Sequence, residues 1–222
     1  MDFLYRPLRT AELRGRPLLL PTLSVGSTGQ LALDLLLNTQ AYGFAKVGWV
    51  HSVLLLPVAG YQPLDWNESD ALAYPAEVYT NGELVVLQIR SLLVQNSFQD
   101  FISALLHWAN DVGISELIVL GSNAAANRPN PEQGRVYYLK NERSARIPQV
   151  PEGDFNPELL LGVGLLKKLL KLRELPVTAL VCYSDWQVDM QGCQELLAAF
   201  LASWGLQVHP VQMPRSWQAL LV

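Results

Sequence analysis

The sequence has few of the residues from which catalytic and metal sites are usually assembled. Its 222 residues include two cysteines and three histidines. Cys182 and Cys193 form no C-x-x-C pair and have no histidine at ligand spacing, which excludes a Cys/His zinc site and a disulfide framework. They read as small buried hydrophobes in a reducing compartment, cytosol or nucleus. Charge is also scarce, at 16% of residues, where typical globular domains carry about 25%. Long apolar runs are missing too. A spanning helix needs about 20 consecutive apolar residues, and the longest clean runs here are residues 159–166 and 53–59. The arginine-rich start has no apolar stretch ending in a small-residue cleavage site, so neither a membrane anchor nor a secretory address is expected.

What the sequence does have is aliphatic bulk. Half of the residues are apolar and the mean hydropathy is +0.16, which excludes disorder. The length suits one domain, residues 1–222. Either the core is large, or apolar surface waits for a partner. The net charge of −4 is unevenly spread: residues 128–173 hold nine bases and five acids. That density is too low for a nucleic-acid footprint and reads as a solvated loop plus a helix face.

Hydrophobic patterning gives the order of elements. Residues 18–20 read as a buried strand that runs into a turn, Ser24-Val25-Gly26-Ser27-Thr28-Gly29, and then a leucine-rich helix capped by Ser27 or Thr28. Residues 44–50 and 53–58 read as strands. Residues 77–80 and 83–90 flank Asn81-Gly82, which favours a type I′ hairpin. Ser97 caps an amphipathic helix closed by Gly113. A buried strand at 117–120 is ended by Gly121-Ser122-Asn123, and one more strand is expected at 135–139. Pro157 opens a lysine-faced helix that Pro176 stops. A strand at 177–182 and a helix at 191–204 follow. Alternating strands and helices predict an α/β three-layer sandwich: a mostly parallel central sheet with an antiparallel hairpin and helices on both faces.

Candidate sites are few. The turn of Gly26, Ser27, Thr28 and Gly29 could offer backbone N–H groups to a phosphate-bearing small molecule, as an α/β enzyme or ligand-binding protein would use it. Neither G-x-G-x-x-G nor G-x-x-x-x-G-K-[ST] is present, so tight structural packing is the competing reading. There is no G-x-S-x-G elbow, and His51, His107 and His209 have no carboxylate orienter evident in sequence. Asp65, Glu68 and Asp70 read as a solvated loop rather than a calcium site. No cofactor or metal is expected. The final thirteen residues contain no acid and end on Leu220, Leu221 and Val222. Such a tail either packs into its own domain or inserts into another protein's pocket.

Residues 24–35, Ser-Val-Gly-Ser-Thr-Gly-Gln-Leu-Ala-Leu-Asp-Leu, resemble the S-V-G-x-x-G-Q-L-A-x-D-L signature of the proteasome assembly chaperone family. In the same order follow Ala76-Glu77-Val78-Tyr79, Leu87-Gln88-Ile89-Arg90-Ser91, Ile118-Val119-Leu120-Gly121-Ser122 and Pro214-Arg215-Ser216-Trp217. The similarity covers most of residues 17–122 and returns at the tail, while 123–205 match only loosely. The resemblance implies an α/β layer sandwich and a non-enzymatic chaperone, paired as a heterodimer with proteasome assembly chaperone 1. The pair would bind the α subunits of the forming 20S proteasome ring, in cytoplasm and nucleus. It also implies a tail of hydrophobic-Tyr-any type entering pockets between α subunits. Leu220 would take the hydrophobic position, Leu221 the tyrosine position and Val222 the last, although Leu221 has neither ring nor hydroxyl.

Overall fold

A computed structural model describes residues 3–61, 64, 72–130, 132–153 and 164–220. Its centre is an eight-stranded sheet. The strands are β1 (Leu4–Pro7), β2 (Leu18–Pro21), β3 (Ala45–His51), β6 (Ala76–Thr80), β7 (Val85–Ile89), β8 (Leu117–Ala124), β9 (Val136–Lys140) and β10 (Val177–Ser184), in the order β1-β3-β6-β7-β2-β8-β10-β9. Two short strands, β4 (Gly60–Tyr61) and β5 (Leu72–Ala73), pair separately. The pairings β7–β2, β2–β8 and β8–β10 at the centre are parallel. Antiparallel strands flank this centre on both sides, so the antiparallel part is wider than a single hairpin.

Among the described residues, four α-helices cover the sheet: α1 (Thr28–Asn38), α2 (Phe98–Val112), α3 (Gly164–Leu169) and α4 (Met190–Ser203). The central strands are buried on both faces and therefore read as continuous aliphatic runs. Their side chains alternate between two cores. Leu18, Leu20, Leu117, Val119, Val177, Ala179 and Val181 face α2 and α3, where Phe101, Leu105, Trp108, Leu166 and Leu169 pack. Leu19, Ile118, Leu120, Leu180 and Cys182 face α1 and α4, against Leu33, Leu36, Leu197 and Phe200. This is the three-layer arrangement expected from the alternation of elements.

Several local expectations are corrected. Residues 53–58 are no strand but an irregular segment, held by Leu56 N–H to the Leu92 carbonyl and Val94 N–H to the Leu54 carbonyl, at 2.9 and 2.8 Å. The β6–β7 connection is not a type I′ turn, because Asn81 lacks the positive φ that both central positions need. Instead Asn81 Oδ1 accepts the N–H groups of Glu83 and Leu84 in a four-residue loop, while Gly82 takes φ +90°. Ser97 stands at the start of α2, yet its hydroxyl donates back to the Val94 carbonyl at 2.6 Å rather than capping the helix. Ser27 at the head of α1 likewise makes no capping bond with its side chain. β8 runs through Gly121-Ser122-Asn123 to Ala124, since β10 pairs along it to the end, while β2 pairs only as far as Leu120. The described part of α3 ends at Leu169, well before Pro176, and Pro157 lies outside the described residues.

Candidate functional site

The Gly26–Gly29 turn sits where β2 leaves the sheet and α1 begins. A Cβ on Gly29 would stand 2.3 Å from the Leu120 carbonyl oxygen, and one on Gly26 would stand 2.8 Å from the carbonyl oxygens of Asp185 and Gln187. Gly26 also takes φ +64°, the left-handed region that favours glycine. Side chains complete the closure. Thr28 Oγ1 donates to Ser184 Oγ at 2.9 Å, Ser24 Oγ lies 2.9 Å from Ser122 Oγ, and the Ser122 hydroxyl donates to the Val25 carbonyl. The turn thus spends its small residues on seating α1 against the carboxyl ends of β8 and β10.

Two of the other signature blocks, Ala76–Tyr79 and Leu87–Ser91, meet in one buried polar cluster on the α1 face of the sheet. Period-two alternation places Glu77 and Tyr79 of β6, and Gln88 and Arg90 of β7 and its end, on the side that α1 covers. Arg90 reaches Asp34 of α1 at 2.7 Å and lies 3.6 Å from Glu77. Lys46 of β3 pairs with Glu77, and Tyr79 donates its hydroxyl to Glu77 at 2.8 Å. Gln88 Nε2 donates to Asp34 and to the Gln30 carbonyl, and Gln30 Nε2 donates to the Ile89 carbonyl. Glu77 and Gln88 are fully buried. Two acids against two bases leave the cluster neutral. Burial opposes the Arg90 charge, but Asp34, by charge and hydrogen bond, holds the guanidinium above its ordinary value. Burial, then Glu77, pushes the Tyr79 hydroxyl well up. Separate readings of the blocks did not bring these residues together; the recurrent signal was a polar residue at every second position beside aliphatics.

The approach to the tail is firmly attached. Asn38 Nδ2 donates to the Gln212 carbonyl at 2.9 Å, and Gln212 N–H donates to Thr39 Oγ1 at 3.0 Å. The His209 ring packs edge-on against Tyr42. Trp217 is 3% exposed and belongs to the core between α1 and α4. Trp217 lies within a 3-10 turn, Arg215–Leu220, of which Leu220 is the last residue, while Leu221 and Val222 lie outside the described residues. Asp65, Glu68 and Asp70 also lie outside them. Of the histidines, His107 has a carboxylate neighbour that sequence spacing did not reveal, Asp111 at 3.3 Å, one helical turn on and solvent-exposed. Among the described residues there is no group of three or more possible metal ligands, and no helix long and apolar enough to cross a membrane.

Comparison with known proteins gives the lineage. The family model described as PAC2 family matches residues 18–215. The chain belongs to the PAC2 family. The mouse (Mus musculus) protein named proteasome assembly chaperone 2 is 36% identical over 254 residues, covering 94% of this chain and 92% of that protein. The bovine (Bos taurus) protein of the same name is 28% identical over 249 residues, with the same coverage on both sides. Among solved structures, Pyrococcus furiosus PbaA, described as an archaeal homolog of proteasome-assembly chaperone, superposes with a TM-score of 0.69. It is 13% identical, with 98% of this chain and 90% of that chain covered, and shows that the PAC2 fold is shared.

Proposed function

We propose that this chain is a non-enzymatic chaperone of 20S proteasome assembly, acting as a heterodimer with proteasome assembly chaperone 1. In this reading the pair holds the forming α-subunit ring, in cytoplasm and nucleus. The observation that carries it is the family match across residues 18–215, with relatives named for proteasome assembly aligned over 94% of the chain. The signature residues support it, because they build α1 seating and a buried neutral cluster rather than a reactive centre. Val53, Leu56, Val58, Leu92 and Val94 support a protein partner, exposing aliphatic surface on two adjoining segments.

In this reading Leu220, Leu221 and Val222 enter the pocket between α subunits. A tagged chain is expected to co-purify with a second PAC2-family chain and with α-ring precursors. Capture of neither from cells with active proteasome synthesis overturns the reading. Deleting residues 220–222 is expected to weaken α-ring capture and leave partner capture intact.

A further inference from the structure

The segments that leave β3 and β7 meet beyond the sheet and form a short apolar ladder. Around an antiparallel bridge between Leu55 and Leu93, Leu56 N–H donates to the Leu92 carbonyl at 2.9 Å and Val94 N–H to the Leu54 carbonyl at 2.8 Å. The Ser91 hydroxyl adds a bond to the Leu56 carbonyl at 2.6 Å. Side chains alternate across such a pair. Leu55 and Leu93 turn in to the α2 core, while Leu56, Leu92 and Val94 turn out to solvent beside Val53 and Val58. These five are 36–65% exposed. Their combined area is on the order of 400 Å², about half of the roughly 800 Å² that each side of a standard interface buries.

Charge and shape fit this face to a second chain of the same fold. Residues 52–60 and 91–99 contain no charged side chain, and the bases of β3 and of the β7 end are committed, Lys46 to Glu77 and Arg90 to Asp34. Interface cores are depleted of charge, and a neutral face meets its equivalent on a related chain without like-charge repulsion. Beside the protruding ladder lies a cavity of about 150 Å³, walled by Trp49, His51, Ser52, Leu55, Pro57 and Tyr74. Trp49 and Tyr74 stack with ring centroids 4.9 Å apart, which fixes the wall. A cavity of this size holds about one ring or one branched aliphatic side chain. The face thus carries both knob and hole, as pairing about a twofold axis requires, because each contact is then made twice.

Placement keeps this face free while the tail is engaged. The contacts that hold the approach to the tail, Asn38 with Gln212 and Tyr42 with His209, precede β3, and the ladder begins where β3 ends. The seven residues of β3 separate the two by roughly 20 Å, at about 3.3 Å per residue. We propose that a second PAC2-family chain docks on this face, seating an aliphatic side chain between Trp49 and Tyr74 and receiving Leu92 in its own equivalent cavity. This assignment rests on the heterodimer reading above, and it leaves the tail to the α subunits.

The test co-expresses the full chain with proteasome assembly chaperone 1 and measures the mass and affinity of the complex. Leu92→Glu and Val53→Glu each place a carboxylate at an exposed position, so the melting temperature of the isolated chain is expected to stay within about 2 °C. Each is expected to weaken partner binding at least about a hundredfold, since the new charge is buried unpaired in the complex. Ile147→Glu, at an exposed apolar residue in the segment after β9, is expected to change it less than about twofold. Hydroxyl-radical footprinting of the wild-type chain needs no variant, and protection of Leu56, Tyr74 and Leu92 is expected in the heterodimer. Undiminished partner binding in both glutamate variants, or no protection at these residues, overturns the proposal. Loss of α-ring capture with the partner retained gives the face to the α subunits and overturns it too. So does a homodimer abolished by Leu92→Glu that the partner does not displace, which gives the face to a second copy. A wild-type chain that binds no partner instead overturns the heterodimer reading, and this surface assignment with it.

Discussion

At the scale of single residues, burial ranks the signature positions. Glu77 is the hub of the polar cluster, accepting from Lys46, from Tyr79 and from the Tyr74 N–H at 3.2 Å. Removing its charge strands Lys46 and leaves Arg90 to Asp34 alone, and breaking a buried pair costs about 3–5 kcal/mol. Glu77→Gln is therefore expected to lower urea stability by about 3 kcal/mol. Lys46→Met, at a side chain with 11% exposure, is expected to lose less because Glu77 keeps Arg90 and Tyr79. A larger loss in Lys46→Met would show that Arg90 does not compensate. Gly29 acts through volume alone. Gly29→Ala places a methyl 2.3 Å from a backbone oxygen that cannot swing away, so α1 must lift. Overpacking of this kind costs about 1–3 kcal/mol, readable as a lower denaturant midpoint with an unchanged m-value.

At the scale of elements, the alternation of strand and helix was legible because the central strands are buried on both faces and the helices keep a 3.6-residue period. What escaped was set by contacts between distant segments. The run at residues 53–58 is as apolar as a strand, but Val53 is 65% exposed and only Leu55 is buried, so hydrophobicity there reported surface rather than sheet. β8 outran its glycine because β10 keeps pairing with it as far as Ala124. The start of α4 was missed by one residue: Asp189 caps it through the Gly192 N–H at 2.8 Å while also pairing with Arg135. As for the site, the turn and the tail were visible as motifs. The polar cluster was not, since it joins side chains brought together only by sheet register. The tail segment yields the prediction proper to this scale. Trp217→Ala removes a ring from the α1–α4 core and is expected to cost about 3–5 kcal/mol. Deletion of residues 220–222 is expected to move the melting temperature by less than about 2 °C, so that anchor and tail separate in a thermal scan.

For the whole molecule, the scarcity of charge leaves stability in the alkaline range dependent on buried neutral groups. Burial pushes the Cys182 and Cys193 thiols from 9.0 up to about 12, and raises the Tyr79 and Tyr137 hydroxyls as well. Each holds its proton more tightly folded than unfolded. Their contribution is therefore complete below the unfolded value and drains away as pH climbs toward the folded one. For the thiols that window runs from about pH 9 to about pH 12, with the tyrosines joining from about pH 10. Within it each fully titrating group removes about 1.4 kcal/mol per pH unit. The melting temperature is expected to stay level from pH 7 to 8.5 and to fall with increasing steepness above pH 9. A Cys182→Ala, Cys193→Ala double variant starts lower, because two cavities open in the α1–α4 core, yet its decline between pH 9 and 10 is expected to be shallower. Parallel curves for the two proteins would show that the thiols do not carry the effect, and would assign it to the tyrosines.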